Sequence, residues 1–146
     1  MWFSIEERYF TLSVGILFML IGIAGFVPSL VLLPTAEPFV PPNLTFDQGY
    51  GYVVGLFPTN LLYNSLHLIF GVLGIALYSS FSCSRVFNRG LTIFYTWIAI
   101  MGLLPFTSTM FGLMPLFGNN VWFNALIAAI AAYYGFVKPL LDTPVL

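Results

Sequence analysis

Three long stretches without a charged side chain constrain the fold of this chain more than any other feature. They run over 9–36, 48–84 and 90–137. A helix needs about 20 apolar residues to cross a membrane. The first two stretches accommodate one helix each, and the third, which is interrupted between Pro105 and Asn120, accommodates two. We therefore expect membrane spans near 9–33, 58–82, 90–107 and 120–138.

The composition agrees with a membrane protein. Hydrophobic residues make up 60% of the chain and charged residues only 6%. Because soluble domains carry about 25% charged residues, this chain could not cover a water-facing surface. We predict an all-α fold, a bundle of four transmembrane helices forming one integral membrane domain over 1–146. An outer loop over 34–57 joins the first two spans.

The positions of the basic residues predict the orientation. Arg8 precedes the first span, Arg85 and Arg89 lie between the second and third, and Lys138 follows the fourth. All four would lie on one side of the membrane, which the positive-inside rule makes cytoplasmic. Both termini are then cytoplasmic. The single cysteine, Cys83, forms no intrachain disulfide.

The chain also repeats itself weakly. The first and third spans end in similar segments, Gly25 to Pro28 and Gly102 to Pro105. The second span opens with LFPTN and the fourth with LFGNN. Two hairpins that enter the membrane in the same direction form a parallel repeat, with its axis along the membrane normal. The alternative is two hairpins that share only ordinary helix-end chemistry.

The second and fourth spans each carry a stripe of polar and small residues on one helix face. Small residues let membrane helices approach closely, and Asn or His can hydrogen-bond across the contact. We expect these two spans to face each other, with their asparagines meeting near the outer end. The polar contacts would come from Asn60, Asn64, His67, Asn120 and Asn124, and the close packing from Gly71, Gly74, Ala128 and Ala131.

His67 is the only histidine and lies within an apolar span. An ionisable group at that depth is a functional hypothesis by default. One interpretation is a structural histidine bonded to an amide or a carbonyl. The other is an axial ligand to a haem iron or a chlorophyll magnesium, with Gly71 leaving room for the ring. A single histidine excludes a bis-histidine haem within one chain, and the cofactor stays open.

Other chemistry is largely missing from the sequence. The spans contain no Asp, Glu, Lys or Arg between their ends, which removes the usual proton-relay and ion-coupling groups. A hydrolytic site would need a nucleophile, a base and an orienting group together. One histidine and one cysteine supply too few ligands for a metal site, and four cations make no nucleic-acid footprint. We predict that the protein is not an enzyme.

The stretches GYGYVVGLFPTNLLYNSLHLIFGVLGI and GLMPLFGNNVWFNALIAAIAAYYGF resemble a bacterial family of four-span membrane proteins known only as a domain of unknown function. The resemblance covers about 9–138 and is carried mainly by an FPxNxxxNxxHxxxG run that ends at Gly71. Members of this family occur commonly in cyanobacteria and actinobacteria. The segment DQGYGYVVGLFP is most similar to cyanobacterial members of the family. This resemblance implies that the protein resides in a bacterial plasma or thylakoid membrane.

The chain departs from that family pattern at two positions. Members typically carry a second histidine just before the second asparagine, where this chain has Tyr63. They also often carry a histidine in the fourth span, where Asn124 stands here. Both departures weaken any case for a histidine metal site in this chain.

The functional prediction is a non-enzymatic accessory or assembly subunit of a larger membrane complex, photosynthetic or respiratory if the lineage holds. Its expected partners are membrane lipids and other membrane subunits. A first alternative is a tetrapyrrole-binding protein that uses His67. A second is a small passive channel or solute carrier. Its path would be lined by Asn60, Asn64, Asn120 and Asn124. The outer loop, rich in proline and aromatic residues, is predicted to cover the outer helix ends or to contact a partner.

Overall fold

The computed structural model describes residues 3–35 and 40–142, with side chains from Ile5 onward, and it is mostly helical. Its helices are α1 (Phe3–Phe26), α2 (Leu61–Leu77), α3 (Phe81–Leu103), α4 (Asn119–Ala132) and α5 (Lys138–Leu141). A π-helical turn, Tyr133–Val137, joins α4 to α5. Among the described residues, three helices are long and apolar enough to cross a membrane: Ile5–Phe26, Phe81–Leu103 and Asn119–Leu141. The shorter α2 is also apolar.

The outer helix boundaries differ from the predicted ones because caps and prolines act there. α1 ends at Phe26 rather than near residue 33, since Pro28 opens a 3-10 turn that leads away from the helix. α2 begins after Asn60, whose side-chain oxygen accepts a hydrogen bond from the Tyr63 backbone N–H at 2.9 Å. Such a cap satisfies one of the unpaired N–H groups of the first turn.

The inner boundary of α3 differs most. The helix starts at Phe81, not near residue 90, and Ser80 caps it by accepting from the Cys83 N–H at 3.4 Å. The predicted inner loop therefore belongs to the helix, and Arg85 and Arg89 lie on its first turns. These two charged residues predicted a loop between the second and third spans. In the structure they lie on α3, and their side chains bond to groups of other helices.

A small antiparallel sheet corrects the all-α prediction. Its strands are β1 (Val31–Leu32), β2 (Gly51–Val53) and β3 (Phe57–Thr59), in the order β1-β2-β3. Gly51 pairs with Thr59, and Val31 with Val53. Strands of two or three residues are too short to give a recognisable period-2 pattern, so the sequence alone did not reveal them.

The long outer connection packs onto the second hairpin. The backbone N–H groups of Thr45 and Phe46 both donate to the Gly112 carbonyl, at 3.0 and 2.9 Å. The Thr109 hydroxyl donates to the Asn43 carbonyl at 3.1 Å. Gly112 has a φ of 94°, and a Cβ there would lie 2.5 Å from Thr45 Oγ1, so glycine is required. The loop thus joins the two halves at their outer ends.

Within the first hairpin, α1 and α2 touch backbone to backbone. A Cβ on Gly74 would lie 2.8 Å from the Gly15 Cα, and one on Gly71 would lie 2.7 Å from the Met19 nitrogen. Small residues permit this approach in membrane helices. The expectation that this face of α2 packs on the fourth span is therefore wrong: it packs on α1, and α4 packs on α3.

The two hairpins meet through α1 and α3 along equivalent positions. Thr11 and Asn88, 77 positions apart, are joined by a hydrogen bond from the hydroxyl to Oδ1 at 3.0 Å. Phe18 and Tyr95, at the same separation, stack with ring centroids 5.2 Å apart. Residues that contact their own counterpart lie near the axis of a two-fold repeat. The fully buried rings of Phe18 and Tyr95 form the centre of the core.

Candidate functional site

The Asn60 side chain hydrogen-bonds to the outer connections of both hairpins. Its side-chain N–H groups donate to the Phe46 carbonyl at 2.9 Å and to the Leu113 carbonyl at 2.7 Å. Phe46 belongs to the first outer connection and Leu113 to the second. Irregular backbone near a membrane survives only when its polar groups find partners inside the protein. Asn60, which is fully buried, supplies two of those partners and also caps α2.

Asn120, the counterpart of Asn60 in the repeat, also donates to backbone carbonyls of both hairpins. Its N–H groups donate to the carbonyls of Pro58 and Pro115, both at 2.7 Å. One carbonyl belongs to each hairpin, as for Asn60. The two asparagines are thus bonded to loop carbonyls rather than to one another.

Asn64 closes the outer end of the first hairpin. Its N–H donates to the Gly25 carbonyl at 2.8 Å, and its oxygen accepts a short hydrogen bond from the Thr59 hydroxyl. A Cβ on Gly25 would collide with the Asn64 amide. The polar contact at this position therefore links α2 to α1.

An outer pocket of about 310 Å³ lies beside Asn64, between the outer end of α1 and β2. Gly25 and Tyr50 also line it. Burial of the Tyr50 phenol raises its pKa above the ordinary value, so this side chain is uncharged at neutral pH. The polar side chains that line the pocket, Tyr50 and Asn64, are therefore both uncharged.

Tyr63, which the sequence analysis did not select, makes the polar link between α2 and α4. Its hydroxyl donates to Asn124 Oδ1 at 3.0 Å, and both side chains are buried. Tyr63 aligns with Phe123 in the repeat. The additional hydroxyl of Tyr63 is the sequence feature that could have identified this residue. Asn119 was also missed; its exposed amide donates to the Leu56 carbonyl at 2.9 Å.

His67 is buried on α2 and is only 3% exposed. Its Nδ1 is 2.9 Å from the Tyr63 carbonyl. The Phe18 ring meets the imidazole edge-on at 5.3 Å, and the Tyr63 ring lies 4.6 Å away. His67 Nε2 is buried and has no hydrogen-bond partner among the described residues.

The surroundings of His67 do not fit a tetrapyrrole. The cavity against which it lies measures about 20 Å³, whereas sites for drug-sized ligands measure about 300–1,000 Å³. Gly71, which was expected to leave room for a flat ring, lies against the α1 backbone near Met19 instead. The histidine is enclosed by side chains of its own bundle.

The second hairpin leaves a groove on its lateral face. Ala128 and Ala131 are buried on α4, which packs on α3 rather than on α2. Beside them runs a groove of about 360 Å³. It is lined by Thr92, Thr96, Ala99, Ile100, Leu103, Val121, Ala125, Ala128, Ala129 and Ala132.

The groove has a structural cause in the repeat. Thr92 and Ala99 occupy the positions that Gly15 and Gly22 occupy in α1. The glycines of α1 touch the backbone of α2, with a Cβ on Gly22 falling 3.0 Å from the Asn64 carbonyl oxygen. A side chain at Thr92 or Ala99 prevents such backbone contact at that position, and both residues line the groove.

The inner end of the bundle holds a polar cluster that the sequence analysis did not anticipate. Glu7 is fully buried and pairs with Arg85, with two N···O distances of 3.4 Å. Glu6 pairs with Lys138 at 3.0 Å. These two pairs bring the start of α1 to the start of α3 and to α5, because an isolated buried charge would be costly.

Two arginines satisfy carbonyl groups at helix ends on the same side. Arg8 Nε donates to the Tyr78 carbonyl and Arg89 Nε to the Gly135 carbonyl, both at 2.8 Å. Gly135 lies four residues before Pro139, which has no N–H to donate back to it. Arg89 replaces that missing donor in the π-helical turn. All four basic side chains therefore lie at one end of the molecule.

The comparisons with known proteins identify a family and no activity. The family model described as "Domain of unknown function (DUF4383)" matches residues 8–137, which includes α1 from Arg8 onward, α2 to α4 and both outer connections. Neither a curated protein nor a solved structure matches the chain. The function must therefore follow from the geometry of this chain.

Proposed function

The chain belongs to the family described as "Domain of unknown function (DUF4383)", and from its geometry we propose that it is a non-enzymatic accessory or assembly subunit of a larger membrane complex. The groove between α3 and α4 is the observation that carries the proposal. Its occupant is one transmembrane helix of another subunit. The outer asparagines and the inner charges bond within the chain, whereas this lateral face is open to a partner.

The lining of the groove suits a helix. Thr92 and Thr96 on α3, and Ala125 and Ala129 on α4, are each four residues apart, so each pair lies along one helix face. Small residues at this spacing on two neighbouring helices let a third helix approach closely. The exposed Thr96 hydroxyl adds a hydrogen-bonding group in an otherwise apolar surface.

We extend the proposal to a four-span topology. The 17 residues of α2 span about 25 Å at the helical rise, less than the roughly 30 Å of a bilayer core. Both of its ends lie level with α1: Asn64 bonds to Gly25 at the outer end, and the Tyr78 carbonyl accepts from Arg8 at the inner end. The extended β3 lengthens the crossing.

The orientation and the host membrane belong to the same proposal. The end that carries the four basic side chains is cytoplasmic by the positive-inside rule, and both chain termini lie on that side. Following the family resemblance, the membrane is a bacterial plasma or thylakoid membrane, and the host complex is photosynthetic or respiratory.

The two alternatives gain no support from the geometry. A tetrapyrrole ligand needs more room than the His67 cavity offers. A channel lined by the four asparagines would need their amides free to meet a solute. The amides of Asn60, Asn64 and Asn120 donate to backbone carbonyls. The fourth, Asn124, is fully buried and accepts from Tyr63, and its Nδ2 has no partner among the described residues.

Photocrosslinking from the groove tests the proposal. A photoreactive amino acid at Ala129, in native membranes, is expected to capture one other membrane subunit, identified by mass spectrometry. The same amino acid at Ile69, which is 57% exposed on α2, is the matched control and is expected to capture lipid alone. Lipid alone at both positions, with the purified protein running by itself in mild detergent, would refute the subunit role.

A further inference from the structure

A small cavity lies against His67, between α2, the start of α4 and the outer sheet. Its volume is about 20 Å³, and one water molecule needs about 10–15 Å³ of such space. Polar side chains in its lining are Thr59, Tyr63, His67 and Asn120; the remaining lining is apolar and aromatic, including Phe123. The cavity admits one molecule the size of water.

The hydrogen-bond donors of the lining are already in use. The Tyr63 hydroxyl donates to Asn124, and the Thr59 hydroxyl to Asn64. Both side-chain N–H groups of Asn120 donate to backbone carbonyls. These side chains therefore have acceptor capacity left and no donor to offer a ligand.

His67 adds a further acceptor. Its Nδ1 contacts the Tyr63 carbonyl, and because a carbonyl oxygen only accepts, Nδ1 carries the proton. In the neutral imidazole, Nε2 then presents a lone pair. This atom is buried without a partner among the described residues. Buried polar atoms normally have a partner in the protein or in a bound molecule.

We propose that the cavity binds one neutral, water-sized hydrogen-bond donor, water or ammonia, that donates to His67 Nε2. The ligand is a donor because the lining has acceptors left over. It is neutral because none of the described residues that line the cavity is charged. The site is independent of the subunit role proposed above.

Nitrogen NMR of the single histidine tests the site. Histidine labelled with ¹⁵N gives one imidazole signal pair, since His67 is the only histidine. In bilayers with ammonium-free buffer, we expect Nε2 to show the upfield shift of a hydrogen-bonded acceptor and to receive magnetisation from water protons. A shift that develops only after ammonium chloride is added at alkaline pH identifies ammonia. The signal of a free Nε2 under both conditions overturns the proposal.

Three variants locate the donor. Val53 lines the cavity, so Val53→Ile fills it and is expected to abolish the shift. The neighbouring Val54 is 54% exposed, so Val54→Ile is the matched control and keeps the shift. Tyr95 has a buried hydroxyl without a partner among the described residues. If Tyr95→Phe removes the shift, or Val53→Ile leaves it, the donor is a protein group and the proposal fails.

Discussion

Single amide side chains replace the backbone partners that the outer connections lack. Inside a helix, the carbonyls are paired along the helix, but Phe46 and Leu113 lie in irregular segments and Pro58 in the short strand β3. Asn60 and Asn120 donate to these carbonyls from buried positions. An amide side chain carries two N–H donors, which explains why asparagine, rather than a hydroxyl residue, stands at both places.

Asn60→Ala tests this role. The substitution removes a helix cap, worth about 1 kcal/mol, and orphans two carbonyls at about 1–3 kcal/mol each when buried. We expect a clear fall in thermal stability in detergent. Asn119→Ala is the control, because that exposed amide makes one bond to a carbonyl, and we expect a small change. Equal melting temperatures for the two variants would contradict the role.

Glu7 gives a second prediction at this scale. It is fully buried, while the Arg85 side chain is 28% exposed. Removing one partner of a buried pair costs about 3–5 kcal/mol, and the partial exposure of Arg85 places Glu7→Ala near the low end. Glu6→Ala removes a side chain that is 60% exposed and is expected to cost far less. In denaturant titrations, adding Arg85→Leu should recover part of the stability lost in Glu7→Ala.

Among the helices, the close pairing of α1 and α2 depends on glycine. Gly15, Gly71 and Gly74 place the two backbones in contact, with no side chain between them. The second hairpin follows the same plan with larger residues at equivalent positions, and it leaves a lateral groove. The difference between the two hairpins is thus a difference of side-chain size at the helix contact.

Gly74→Ala tests the α1–α2 contact. Its added methyl group would lie 2.8 Å from the Gly15 Cα and 2.9 Å from the Thr11 carbonyl oxygen. Overpacking of this kind costs about 1–3 kcal/mol. Gly90→Ala is the control, since a Cβ on Gly90 meets nothing within 4 Å, and it should stabilise α3 by about 0.5–1 kcal/mol. Unfolding measured in the same detergent should move in opposite directions for the two variants.

Across the whole molecule, the basic side chains gather at one end and the loop carbonyl network at the other. Arg8, Arg85, Arg89 and Lys138 all bond to groups near the starts of α1 and α3 or the ends of α2 and α4. The asparagine network occupies the opposite end. By the positive-inside rule, we expect the end with the basic side chains to be cytoplasmic.

Labelling of Cys83 tests the orientation. Cys83 is the only cysteine and lies at the inner end of α3. A membrane-impermeant maleimide should leave it unlabelled in intact cells and label it after lysis. In a Cys83→Ser background, Thr45→Cys, at an exposed outer position, should be labelled in intact cells. The reverse pattern would show that the proposed orientation is inverted.

Much of the fold could be predicted from the sequence, but less of the candidate site. The apolar stretches predicted helices that the structure contains, with shifted ends. The selected asparagines are buried and bonded, yet their partners include the backbone carbonyls of Phe46, Gly25 and Pro58 rather than one another. A sequence pattern places residues on one helix face but does not say which neighbour that face meets. Tyr63 and Glu7 were missed for the same reason.

The amino-acid sequence is sufficient to predict the membrane character, the approximate helix positions and the grouping of the basic residues, because these depend on composition and on spacing along one chain. The tertiary structure is needed to see that α2 pairs with α1 and that the outer loop bonds to the second hairpin. It is also needed to see that His67 has a nitrogen without a partner among the described residues, beside a small cavity. Those features depend on contacts between distant residues, and their fit is fixed by side-chain size and by the pairing of buried polar groups.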